Sequence, residues 1–296
     1  MAKDALAAFS LLWCAQQALI LFYTQLASPF DKLQAFLVAA AALSSAWPPA
    51  LCAALAVRIY ANVMCWPNAW ESHFWCAQTD TALLATLIMQ MAAASRLSSE
   101  QRTSALADAN RVVRWQLGFF YASAAVFKLN SSFLDHRYSC ASPYLAQLLA
   151  AYLPESSPHA LAPLVNLAPG MVVLGEVVLS SALLAAAAGR GGRLARALGV
   201  SLAMLLHLGI ALTPPPNNIG AFSVLMAVRL AAFVPPEALD RALRVPRHAS
   251  EAAAVAALVA LAAGAARAAA LATDSGGAGS AAAAGEAGQM SIMFFQ

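Results

Sequence analysis

Apolar residues follow one another along this chain in blocks of about 15–23, and they do not alternate with polar ones. Unbroken alanine- and leucine-rich blocks of that length predict helices, whereas a half-buried strand would show strict alternation over a few residues. Pro, Gly and charged residues punctuate the blocks. They leave candidate helices at about 5–27, 33–47, 48–66, 79–95, 112–130, 170–188, 196–213, 218–234 and 251–272. A transmembrane helix needs about 20 mostly apolar residues, so these blocks predict an all-α, polytopic transmembrane bundle of eight or nine spans. The second and fourth blocks are short, and Trp47, Pro48 and Pro49 mark a break within a bent hairpin. The 140–153 stretch is too short to span and predicts a helix lying at the interface. No internal repeat is visible.

Composition reinforces the span prediction. The chain has 296 residues, 61% hydrophobic and only 10% charged, with a mean hydropathy of +0.67. Ordinary soluble domains have about 45–50% apolar and about 25% charged residues. The first apolar block is longer than the core of a signal peptide and lacks a small-residue cleavage site, so it is expected to be retained. The net charge of +3 includes no basic arm, which excludes an evident nucleic-acid interface. Five cysteines form no zinc pattern, and no metal is expected. Cys14 and Cys52 read as small hydrophobes. Cys140 is placed to pair with Cys65 or Cys76, or all three are free thiols.

Charge asymmetry sets an orientation for such a bundle. Arg96, Arg102, Arg111 and Arg114 share one loop, Arg190, Arg193 and Arg196 the next, and Arg241, Arg244 and Arg247 a third. With nine spans all three loops fall on one side, the cytoplasmic one. The opposite loops carry only Lys32 and Arg137 against Asp31, Glu71, Asp80, Asp135 and Glu155, and hold aromatics such as Trp66, Trp70, Trp75, Tyr138 and Tyr144. The predicted organisation is a transmembrane domain over 1–250, an additional apolar helix over 251–272 and a disordered Gly/Ala-rich tail over 273–296.

Ionisable residues inside spans are costly unless paired or set in a cavity. Arg58, Lys128, Glu176 and His207 all lie within apolar blocks. At about 1.5 Å of rise per residue, Lys128, Glu176 and His207 fall at one depth on the non-cytoplasmic side. Each also has a plainer reading. Lys128 reaches the interface along its stem, Glu176 pairs with Arg58, and His207 is a packed core histidine. In the functional reading an apolar setting lowers the Lys128 pKa and makes it a general base. Glu176 opposes that by favouring the charged lysine.

The stretch 119–134 (FFYASAAVFKLNSSFL) resembles the core motif of vitamin K-dependent γ-glutamyl carboxylases, shared with the wider HTTM (horizontally transferred transmembrane) family: an aromatic-rich span, then Lys128, Leu129, Asn130 and Phe133. His207 followed by Asn218-bearing 218–226 (NIGAFSVLM) and 67–75 (PNAWESHFW) with His73 are weaker matches in the same order. Glu176 also fits, as an acidic residue early in the span after the lysine motif. The resemblance implies a membrane enzyme, a carbon–carbon lyase and quinol epoxidase, in which Lys128 deprotonates reduced vitamin K or another lipid quinol. His73, Glu176, His207, Asn130, Tyr121 and Asn218 then support the pocket. Implied partners are the lipid bilayer, the quinol and a glutamate-containing peptide. The implied location is the endoplasmic reticulum in a eukaryote or the plasma membrane in a prokaryote. The sequence departs from the family at Ser72-His73, where an Asn-His pair is usual, at Pro214, Pro215 and Pro216 after His207, and in lacking a large extramembrane domain. The alternative is a non-enzymatic membrane protein, transporter or scaffold, in which Lys128 and Glu176 form a structural ion pair.

Overall fold

The computed structural model describes residues 5–23, 29–44, 47–64, 71–94, 96–153, 158–214, 219–235 and 238–239. Among the described residues ten α-helices follow in order: α1 (Ala5–Tyr23), α2 (Pro29–Leu43), α3 (Pro48–Met64), α4 (Glu71–Ala93), α5 (Ser99–Lys128), α6 (Ser131–Leu134), α7 (Ala141–Tyr152), α8 (Pro158–Ala187), α9 (Gly192–Leu212) and α10 (Gly220–Arg229). A 3-10 turn, Leu230–Phe233, continues α10. The predicted apolar helix at 251–272 and the tail at 273–296 lie outside the described residues.

α5 is the axis of the fold. Its start is fixed by a capping box: the Ser98 hydroxyl accepts from the Gln101 backbone N–H (3.2 Å), and Gln101 Oε1 accepts from the Ser98 N–H (2.8 Å). Its 30 residues reach about 45 Å, long enough to serve two apolar clusters in turn. The first half contributes Ala105, Leu106 and Ala109 to a core built with α1, α2, α3 and α4, around Leu6, Trp13, Leu51, Leu55 and Leu87. The second half contributes Val113, Leu117, Phe120 and Tyr121 to a core with α8, α9 and the α10 end, around Leu179, Leu183, Met226 and Phe233. Glycines let the second layer close. A Cβ on Gly118 would stand 2.6 Å from Leu184, and one on Gly199 would stand 2.7 Å from Leu183 Cδ2 and 3.1 Å from its backbone nitrogen.

This architecture corrects the transmembrane expectation. Among the described residues two helices are long and apolar enough to cross a membrane by length and composition, His159–Ala187 and Gly192–Leu212, in place of the eight or nine expected. The other apolar blocks form helices that are too short or too polar. α2 has 15 residues, about 22 Å, against a hydrocarbon thickness of about 30 Å. α4 and α5 are long, but Gln, Asp, Thr, Arg and Asn interrupt their apolar surface. The apolar blocks instead bury side chains against one another. Trp13, Leu6, Ala54, Leu55, Leu87 and Ala105 are all inaccessible. The bilayer partner, the multi-pass location and the cytoplasmic assignment of the arginine loops rested on the span count and fall with it. The 140–153 stretch does form a helix, α7, and it packs against α8.

Candidate functional site

Three polar clusters organise the described residues. The first contains most of the residues singled out in the sequence. Lys128, at the last turn of α5, donates from Nζ to both oxygens of Glu176 on α8, at 2.6 and 2.8 Å. The Glu176 side chain is 7% exposed and the Lys128 side chain 28%. The Phe133 ring lies 5.9 Å from the ammonium, close enough for a cation–π contact. Burial pushes the Glu176 carboxyl above the usual range, and the Lys128 charge pulls it back down. Two turns back along α5, Tyr121 Oη and His207 Nε2 of α9 share a hydrogen bond of 2.5 Å. Both residues are inaccessible, within a row of rings formed by Trp75, Phe120, Tyr121, His207 and Phe222. Burial pushes His207 down to about 3, so the imidazole is neutral at ordinary pH. Glu176 thus pairs with Lys128, and His207 is ring-packed.

The remaining predicted residues have other surroundings. Asn130 is the N-cap of α6: its Oδ1 accepts from the Phe133 N–H at 2.8 Å, and its Nδ2 donates to the Phe127 carbonyl at 2.7 Å. It ends α5 and starts the next turn. His73 is half-buried near the start of α4, whose main contacts are with α3, α5 and α10, whereas the Lys128–Glu176 pair lies between α5 and α8. Asn218 and Cys65 lie outside the described residues. Cys76 and Cys140 are free thiols.

The second cluster joins residues that are far apart in the sequence. Arg229, at the end of α10, is 3% exposed and pairs with Asp80 of α4 at 2.7 Å. It also donates from Nε to Thr79 Oγ1 (2.9 Å) and from Nη1 to Gln16 Oε1 (2.8 Å). Trp13 Nε1 donates to the same Asp80 carboxylate at 3.2 Å. Burial pushes Asp80 up while Arg229 holds it down. A cavity of about 10 Å³, lined in part by Asp80, Arg229 and Asn110, adjoins the pair. The available signal was an arginine inside the otherwise apolar 218–234 block.

The third cluster lies at the middle of α5, about four turns before Lys128, beside the turn that joins α8 to α9. A cavity of about 330 Å³ is lined by Arg114, Arg193, Arg196, Ala186, Gly189, Gly192 and Phe233. Arg114 is held in place: its Nε donates to the Ala232 carbonyl at 2.7 Å, and its guanidinium lies 6.0 Å from the Phe233 ring centre. Burial lowers the Arg114 pKa, and the charges of Arg196 and Arg111 lower it further. Among the described residues no carboxylate pairs with Arg114, Arg193 or Arg196. Gly189, Gly191 and Gly192 have positive φ, a conformation natural to glycine, and they turn the chain from α8 into α9. A Cβ on Gly189 or Gly192 would meet nothing within 4 Å, so this turn borders open space. No side chain caps the first turn of α9. In the sequence these arginines stand out only as loop charge.

No family model, curated protein or solved structure matches this chain. The resemblance to the HTTM family and to γ-glutamyl carboxylases is therefore withdrawn, and with it the lyase assignment. The expected quinol is not supported either. The two cavities described above are not lined by Lys128, His73 or His207, and the Lys128 ammonium is closed onto Glu176. Among the described residues no His, Cys, Asp and Glu cluster could hold a metal.

Proposed function

We propose that this chain is a binding protein for a small multivalent anion, held in the cavity between Arg114 of α5 and Arg193 and Arg196 of α9. The observation that carries the reading is the convergence of three guanidinium groups on one cavity with no carboxylate among its lining residues. Like charges held close together repel, and an anion removes that cost. Guanidinium groups bind phosphate and carboxylate groups through paired N–H donors. Arg114 is already oriented by the Ala232 carbonyl, so little side-chain freedom is lost when a ligand arrives. The uncapped first turn of α9 adds backbone N–H groups and the positive end of a helix dipole.

The test is thermal unfolding of the full chain with increasing inorganic phosphate at fixed ionic strength. A ligand that binds the folded state raises Tm in a concentration-dependent way. Replacing Arg193→Glu and Arg196→Gln together should abolish that rise while leaving the circular dichroism spectrum unchanged. A Tm response that survives both substitutions places the anion elsewhere and rejects the reading.

A further inference from the structure

The arginine cavity, read as an anion site, also constrains the kind of anion. We infer that it takes a diphosphate group, either inorganic diphosphate or the diphosphate end of an organic molecule. This inference rests on the anion-binding reading.

Charge is the first argument. Three guanidinium groups face the cavity with no acidic residue lining it. Asp108, which precedes Arg114 on α5, is engaged by Arg111 at 3.4 Å. The first turn of α9 adds roughly half a positive charge. A group carrying about three or more negative charges balances that set, whereas a single phosphate at about −1.5 to −2 leaves part of the repulsion in place. Arrangement is the second argument. Arg114 approaches from α5 and Arg193 and Arg196 from α9, so the donors stand on two walls. Two linked tetrahedral groups can meet one wall each. Size is the third. The cavity holds about 330 Å³, equivalent to roughly eleven waters at about 30 Å³ each. A phosphate, with five heavy atoms, leaves much of that space to solvent, and a diphosphate, with nine, fills more of it. Finally, the Gly189–Gly192 turn leaves backbone open beside the cavity, with nothing within 4 Å of a Cβ at either glycine. The Gly189 and Arg190 N–H groups are already bonded to the Ala186 and Ala185 carbonyls, at 3.2 and 2.7 Å, so the backbone donors available to a phosphate oxygen are those that follow, at the start of α9.

Isothermal titration of the full chain with inorganic phosphate, inorganic diphosphate, citrate and adenosine diphosphate, at matched ionic strength, tests this. The expected result is at least tenfold tighter binding of diphosphate than of phosphate or citrate. That preference should be lost in the Arg193→Glu, Arg196→Gln protein. Tighter binding of adenosine diphosphate than of inorganic diphosphate assigns the group to an organic ligand, and weaker binding assigns it to the inorganic form. Equal binding of phosphate and diphosphate overturns the diphosphate inference and leaves the anion-binding reading standing. Equal binding of citrate overturns it as well, because the site then responds to charge alone. No heat with any of the four overturns both.

Discussion

At the scale of single residues, burial decides what each ionisable group does. His207 has a folded pKa of about 3 against an ordinary value of 6.5. The unfolded chain therefore binds the extra proton, and stability that is fully present above about pH 6.5 is lost as pH falls toward 3. The loss approaches about 1.4 kcal/mol per pH unit between those values. Urea unfolding at several pH values should show the wild type losing its advantage over His207→Gln as pH drops. Glu176 and Asp80 shift in the opposite direction, are common to both proteins and cancel in the difference. The Lys128–Glu176 pair gives a second prediction. Lys128→Ala strands a nearly inaccessible carboxylate, at a cost of about 2 kcal/mol after allowing for the lysine's partial exposure. Adding Glu176→Gln should recover part of that loss. Strictly additive losses in a double-mutant cycle would rule out coupling between the two.

At the scale of elements, close approach between helices is the controlling feature. Gly199→Ala pushes a methyl group against Leu183, including its backbone nitrogen at 3.1 Å, and should cost about 1–3 kcal/mol. Gly209, on the same helix, has open space where its Cβ would be. Gly209→Ala should therefore stabilise by up to about 1 kcal/mol through helix propensity. The contrast within α9 is read by thermal or urea unfolding of the two variants. If both glycines behave alike, helix contact is not what selects Gly199. The C-terminal ends of the longer helices were legible, since the blocks ending at 66, 95, 130, 188 and 213 stop within two residues of α3, α4, α5, α8 and α9; their starts were not, because α4, α5 and α8 begin 8, 13 and 12 residues before the apolar blocks do, in polar or proline-bearing sequence. What the helices face was not legible. An alanine- and leucine-rich surface has the same composition whether it meets hydrocarbon or another helix, and span counting assigned every such block to lipid. Only length and interruption separate the cases: α2 is too short, and α4 and α5 are too polar.

At the scale of the whole molecule, the candidate site shows the same limit. Lys128, Glu176, Tyr121 and His207 stood out because a polar residue within an apolar block is conspicuous, and packing of α5, α8 and α9 joins them as two pairs. Arg114, Arg193 and Arg196 are conspicuous in the sequence only as charge between apolar blocks. Their convergence depends on a tertiary contact between α5 and the α8–α9 turn that local sequence does not contain. Arg229 joins α10 to α4 and, through Gln16, to α1, so it ties the two apolar clusters together. Arg229→Met leaves Asp80 buried without its partner and should cost about 3–5 kcal/mol. The check is equilibrium unfolding followed by tryptophan fluorescence, since Trp13 donates to the same carboxylate.

The path of α5 through both apolar clusters has a consequence for how the protein opens. Neither cluster can be exposed to solvent by swinging away as a separate module, because each would have to take its half of one continuous helix with it. Amide protons near the middle of α5, around Ala109 and Val113, should therefore exchange with solvent only when the whole chain unfolds, and those of the peripheral α6 and α7 should exchange first. A protease able to cleave at that midpoint would find its target only in the fully denatured population. For cleavage at that midpoint, the lifetime of the protein would then be set by global unfolding, with no faster route through partial opening.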